Sequence, residues 1–258
     1  MNSNSVQKWS LALIEKALNQ GSDLNQTDDE GWTPLHRATQ EGADDIAIRL
    51  MDAGADVNSM DRYKWTPLYW AVVRGYSNIV NRLLEKGANV NQRDIDKETP
   101  LHWAAAWGHT EVANLLIKFG SILDAQDHHG ETPLYQASQE GYPDMVQLLI
   151  SHGASTDIIT KEGQPPLQCA TFFGHHNVVQ HLLEGGSNID STNLVGKTAL
   201  HFAVVRDNEY LVNELLRAGA DSSIKDSSGQ TPLEIAKKNE QTYIVDLLSL
   251  KDQTKLNK

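Results

Sequence analysis

The chain predicts an all-α solenoid of stacked helix–turn–helix units with hairpin fingers, and three observations carry that prediction. First, one motif returns every 33 residues. It reads Thr33-Pro34-Leu35-His36, Thr66-Pro67-Leu68-Tyr69, Thr99-Pro100-Leu101-His102 and Thr132-Pro133-Leu134-Tyr135, then Pro165-Pro166-Leu167-Gln168, Thr198-Ala199-Leu200-His201 and Thr231-Pro232-Leu233-Glu234. Second, a glycine followed by a small residue keeps the same period, from Gly21-Ser22 through Gly54-Ala55, Gly87-Ala88, Gly120-Ser121, Gly153-Ala154 and Gly186-Ser187 to Gly219-Ala220. Third, apolar pairs at helical spacing lie between the two markers, as in Ile79-Val80 with Leu83-Leu84. Units of this length cannot bury their own apolar faces and must stack on their neighbours.

Each element follows in order. Residues 5–26 read as an N-terminal capping half-repeat, a second helix with Leu13, Ile14 and Leu18 on its apolar face. Full repeats then occupy 30–59, 63–92, 96–125, 129–158, 162–191 and 195–224, with a C-terminal capping repeat at 228–250 and a polar tail at 251–258. In the first full repeat, Thr33 offers its hydroxyl as an N-cap and Pro34 takes the first helical position, where a missing N–H costs nothing. That helix runs through His36-Arg37-Ala38 and stops at Gly42, and small residues at Ala38, Ala71, Ala104 and Ala137 let neighbouring helices approach. The periodic glycine ends the second helix with a left-handed cap, and a polar stretch such as Asp56-Val57-Asn58 turns back toward the next Thr-Pro. Repeats two and three depart from the rule, with Lys64 and Lys97 where the finger carries glycine elsewhere.

Charge and composition narrow the function. With 34 acidic and 22 basic side chains the net charge is -12, which repels phosphate backbones and argues against nucleic acid. Nothing approaches the roughly 18 consecutive apolar residues of a membrane span. The single cysteine, Cys169, excludes an intrachain disulfide and fits a reducing compartment, so a monomeric intracellular protein, cytoplasmic or nuclear, is expected. His36, His102 and His201 sit inside the repeat motif and read as structural hydrogen-bonding groups, and Cys169 takes a small-residue position as a packed thiol. Without a zinc-ligand spacing, a phosphate-cradling glycine loop or a nucleophile–base pair, no metal, cofactor or catalysis is expected.

The pattern D-x-x-G-x-T-P-L-H-x-A followed by G-A-D-V-N resembles the ankyrin signature, from about residue 5 to 250. The resemblance implies a concave groove used for protein recognition, with the variable contacts just before Thr-Pro and just before the mid-repeat glycine. Large apolar residues gather at those columns in repeats two and three. The expected partner-binding set is Trp65, Trp70, Val73, Arg74, Glu98, Trp103 and Trp107, extended by Phe172 and Phe173, with a basic protein or peptide as partner. Trp65 and Trp107 are expected to stand clear of the core, so that replacing both with alanine removes binding and leaves the fold. Trp65-Thr66-Pro67 followed by Trp70, with Leu101-His102-Trp103 one repeat on, also resembles the methyl-lysine-reading ankyrin domains of euchromatic histone-lysine methyltransferases, which implies an aromatic cage at Trp65, Trp70 and Trp103. That cage carries an acid at the position of Val73, and Arg74 beside it opposes a cation, whereas Asp96 and Glu98 favour one. Asn58 and Asn91 resemble asparaginyl-hydroxylation sites of ankyrin hairpins, against the simpler reading that their side chains hold the turn.

Overall fold

The structure, a computed structural model, describes residues 9–256, with side chains to Leu250. The proposed cap at 5–26 and tail at 251–258 therefore lie partly outside the described residues. Two compact units meet in the chain between His128 and His129. The first holds α1 (Leu11–Gln20) and the pairs α2 (Pro34–Gln40) with α3 (Asp44–Asp52), α4 (Pro67–Val73) with α5 (Ser77–Glu85), and α6 (Pro100–Ala106) with α7 (Thr110–Lys118). The second holds α8 (Pro133–Glu140) with α9 (Pro143–Ser151), α10 (Pro166–Phe173) with α11 (His176–Glu184), α12 (Ala199–Val205) with α13 (Glu209–Arg217), and α14 (Pro232–Lys238) with α15 (Thr242–Leu256). The backbone of α15 stays helical six residues past the predicted end of the capping repeat at 250.

The motif explains the helix starts. Thr33 Oγ1 accepts the His36 backbone N–H, while the Thr33 N–H donates to His36 Nδ1 at 3.1 Å, so two orphan groups of the helix end are satisfied reciprocally. His102 and His201 build the same capping box with Thr99 and Thr198. Tyrosine at this position breaks the box. In α4 the Thr66 hydroxyl is buried without a partner, and the Tyr69 hydroxyl donates instead to the Glu98 carbonyl of the next finger.

Each unit buries an aliphatic seam between its helix layers. Leu35, Leu68, Leu101 and Ile79 are fully buried in the first, and Leu134, Leu149, Leu167 and Leu182 in the second. A buried leucine contributes roughly 2 kcal/mol by transfer. Cys169 is buried too, and burial, set against a hydrogen bond with Tyr135, pushes its thiol up to about 12, as expected of an inert packed group.

The predicted hairpin fingers are present, but among the described residues none forms a β-strand. The tips close within one turn, as where Asp61 N–H donates to the Trp65 carbonyl and Lys64 N–H to the Asp61 carbonyl, both at 2.9 Å. Adjacent fingers in the first unit share one backbone bond, such as Ile95 N–H to the Tyr63 carbonyl at 3.3 Å, so no ladder develops. The tips turn at a residue with positive φ. Glycine fills it at Gly31 (φ 83°) and Gly130 (φ 80°), but Lys64 and Lys97 adopt φ 62° and 66° there. A side chain in the left-handed region costs about 1–2 kcal/mol, partly offset by glycine's greater entropy when unfolded. Lys64→Gly and Lys97→Gly are each expected to raise unfolding free energy by about 0.5–1 kcal/mol in urea titrations. A loss of stability would mean that the lysine side chains hold the tips.

Candidate functional site

Two columns of the repeat meet at the finger bases of the first unit. The residue before Thr-Pro and the residue after the His/Tyr position are both tryptophan twice running, as Trp32 and Trp65, then Trp70 and Trp103. Stacking brings the later residue of one repeat against the earlier residue of its own and the preceding repeat. Trp70 lies 4.8 Å from Trp32 and 4.8 Å from Trp65, ring centre to ring centre, and Trp103 lies 5.2 Å from Trp65. The rings meet tilted or edge-on at 59–70°, a favourable quadrupole geometry worth about 0.5–1.5 kcal/mol per pair beyond burial. Tyr69 stacks on Trp65 from below at 5.7 Å.

Beside these rings is a cavity of about 520 Å³. Four of the six tryptophans line it, with Tyr63 and Ile95 at the rim. Five carboxylates also line it, Glu30, Asp61, Asp94, Asp96 and Glu98, against one cation, Arg62. Arg62 is held at the edge by Glu30 at 2.8 Å, with its guanidinium 5.0 Å from the centre of the Tyr63 ring.

The finger acids are positioned by the turn itself. Asp94 Oδ1 accepts the backbone N–H of Asp96 and Glu98, and Asp61 Oδ1 accepts those of Tyr63 and Trp65, all at 2.8–2.9 Å. The second oxygens differ. Asp94 Oδ2 faces the indole N–H groups of Trp65 at 3.3 Å and Trp103 at 3.4 Å. Burial nonetheless holds the Asp94 carboxyl above the usual carboxylate range. Asp61 Oδ2 and Trp70 Nε1, one repeat earlier, are buried and have no partner.

Of the residues expected from sequence, Trp65, Trp70, Trp103 and Glu98 line this cavity, together with Asp96. Val73, Arg74 and Trp107 do not. Val73 is half-buried, and its carbonyl accepts from His109 Nε2 at 3.1 Å. Arg74 caps α4 in solvent, outside the cavity lining, so its charge does not oppose a cation from within. Trp107 ends α6 and is 53 % exposed. In the second unit Phe172 and Phe173 form their own edge-on pair at 5.2 Å, with Arg206 over the Phe172 ring at 4.9 Å.

Asn58 and Asn91 are structural clasps. Asn91 Nδ2 donates to the Gly120 carbonyl at 3.0 Å and its Oδ1 accepts from Ile122 N–H at 2.9 Å; Asn58 holds Gly87 and Asn89 in the same way. Among the described residues no three His, Cys, Asp or Glu side chains gather as a metal would require, and no helix is long and apolar enough to cross a membrane.

A family model described as ankyrin repeats (3 copies) matches residues 5–94, 91–161, 120–193 and 167–258. No curated protein matches the chain. Among solved structures, the crystal structure of the ankyrin repeat domain of Bcl-3, a unique member of the IkappaB protein family, is similar at a TM-score of 0.78 and 30 % identity. It covers 86 % of this chain and 100 % of that one.

Proposed function

The chain belongs to the ankyrin repeat family, whose repeats mediate protein binding, and we propose that it is a non-catalytic scaffold gripping a partner protein or peptide through the tryptophan cavity of its first unit. The observation that carries this reading is the half-buried aromatic cluster itself. Four indoles, large and rigid, border an open cavity ringed by acids, and tryptophan is among the residues most enriched at the energetic centres of protein interfaces. Five carboxylates against one arginine favour a basic partner. On this reading the protein works as a monomer in the cytoplasm or nucleus, without cofactor, nucleic acid or membrane.

A second reading, a methyl-lysine reader, is favoured by the same combination of ring faces and carboxylates, which suits a weakly hydrated cation. It differs from the first only in what enters the cavity.

The scaffold reading is tested by a photo-crosslinking residue placed at Tyr63, on the cavity rim, or at Glu111, exposed on α7. One partner protein is expected to be trapped from the first position and not from the second. Equal trapping from both, or trapping only from Glu111, sinks the assignment of this face.

A further inference from the structure

The aromatic cavity contains two copies of one arrangement that differ in their hydrogen bonds. Trp65, Asp94 and Trp103 stand one period after Trp32, Asp61 and Trp70. In the later copy the acid's outer oxygen takes both indole N–H groups, and the set is closed. In the earlier copy Asp61 is only 6 % exposed, its Oδ2 has no donor and the Trp70 indole N–H has no acceptor. Both residues line the cavity, but these two atoms are themselves covered, so a ligand reaches them only when the side chains over them move. A buried carboxylate oxygen without a donor costs more than a neutral group in the same position. We propose that this earlier copy is a socket for an unmodified arginine side chain of the partner, with the guanidinium on the indole faces and an N–H donated to Asp61 Oδ2. The inference rests on the scaffold reading and names what enters its cavity.

The chemistry selects arginine among cations. A guanidinium offers five N–H donors on a flat, weakly hydrated plate, so it can stack on a ring and serve a carboxylate at once. Arg62 does both at the rim, over Tyr63 and against Glu30. A trimethylated ammonium has no donor and would leave Asp61 Oδ2 as it stands. A lysine has donors but no plane to lay on the indoles.

The test uses the full chain and capped pentapeptides with one central arginine, citrulline, lysine or trimethyl-lysine, followed through the ¹H–¹⁵N signals of the six indoles. The arginine peptide is expected to move the Trp70 signal and to bind about tenfold more tightly than the citrulline peptide, which has the same shape without the charge. Asp61→Asn keeps the oxygen that accepts from Tyr63 and Trp65 and is expected to erase that tenfold preference. Arginine and citrulline peptides of equal affinity, or a trimethyl-lysine peptide that binds more tightly than arginine, would overturn the socket. Should Asp61→Asn fail to unfold cooperatively, the citrulline comparison on the unaltered chain decides alone. If the socket fails while crosslinking from Tyr63 still traps a partner, the scaffold reading stands without it; if Tyr63 traps nothing, both fall.

Discussion

Trp65→Ala is expected to lower the unfolding free energy by about 2–4 kcal/mol and, in the protein that remains folded, to weaken partner binding at least about thirtyfold. Both effects come from one position. The indole lies between Trp70 and Trp103, stacks on Tyr69 and donates to Asp94, so its removal opens a void and leaves a buried carboxylate oxygen with only the Trp103 indole. Full burial of tryptophan would place the loss at about 3–5 kcal/mol, and half-burial reduces it. The sequence expectation that Trp65 stands free of the core is therefore corrected. A double replacement with Trp107 cannot separate binding from folding, because only Trp107 lies outside this packing. Trp65→Phe makes the separation. It keeps a ring in the stack but not the N–H, and is expected to recover about half of the lost stability. Urea titration beside capture of the crosslinked partner reads both quantities. Wild-type stability in Trp65→Ala would mean that the ring cluster contributes no packing energy.

The fold was legible because every repeat states the same physical instruction. Threonine with histidine three residues on closes a capping box in three repeats, and threonine with Glu234 does so in the last. Proline starts the first helix in six of seven, and glycine at the other marker closes the second helix, so the copies reinforce one another. The site was legible only in part. Taken column by column, tryptophans before Thr-Pro and after the His/Tyr position look like separate features, and Trp32 in the first repeat looks unrelated to Trp70 in the second. Stacking with a 33-residue period makes them neighbours. Asp61 and Asp94 were hidden for a different reason. They belong to a column whose first oxygen braces the turn throughout, as Asp28 and Asp226 also do, and a sequence does not tell which second oxygen lacks a donor. Trp107 is as exposed as its column led one to expect, but exposure alone does not bring a ring into this cavity.

His36 and His201 should make the protein lose stability as pH falls below about 6.5. Each imidazole donates from Nε2 to a carbonyl of the next repeat, Trp65 at 3.1 Å and Gln230 at 3.2 Å. Nδ1 must therefore carry the lone pair that accepts from Thr33 or Thr198. Desolvation by burial holds both groups below their ordinary value of 6.5, against backbone hydrogen bonds and the nearby Asp61 and Asp226 charges, which oppose that shift. Above 6.5 both folded and unfolded chains are neutral at these positions, and nothing is lost. Below it the unfolded chain takes up protons that the folded chain refuses, so stability falls until the folded imidazoles titrate in turn, by at most about 1.4 kcal/mol per pH unit for each histidine. Urea titrations at pH 7.5 and 5.5 should show that fall, and His36→Gln with His201→Gln should reduce it; an unchanged fall in the double variant would locate it in other groups. Alanine separates the units further. His36→Ala or His201→Ala strands a buried threonine N–H, at a cost of about 1–3 kcal/mol, while the Trp65 or Gln230 carbonyl keeps the N–H of Asp61 or Asp226. Of the two histidines, His36 alone bonds the backbone of Trp65, so His36→Ala should also weaken ligand binding at the aromatic cavity. His201→Ala should cost the same stability and leave that binding as it was, which makes the second unit an internal control for the first.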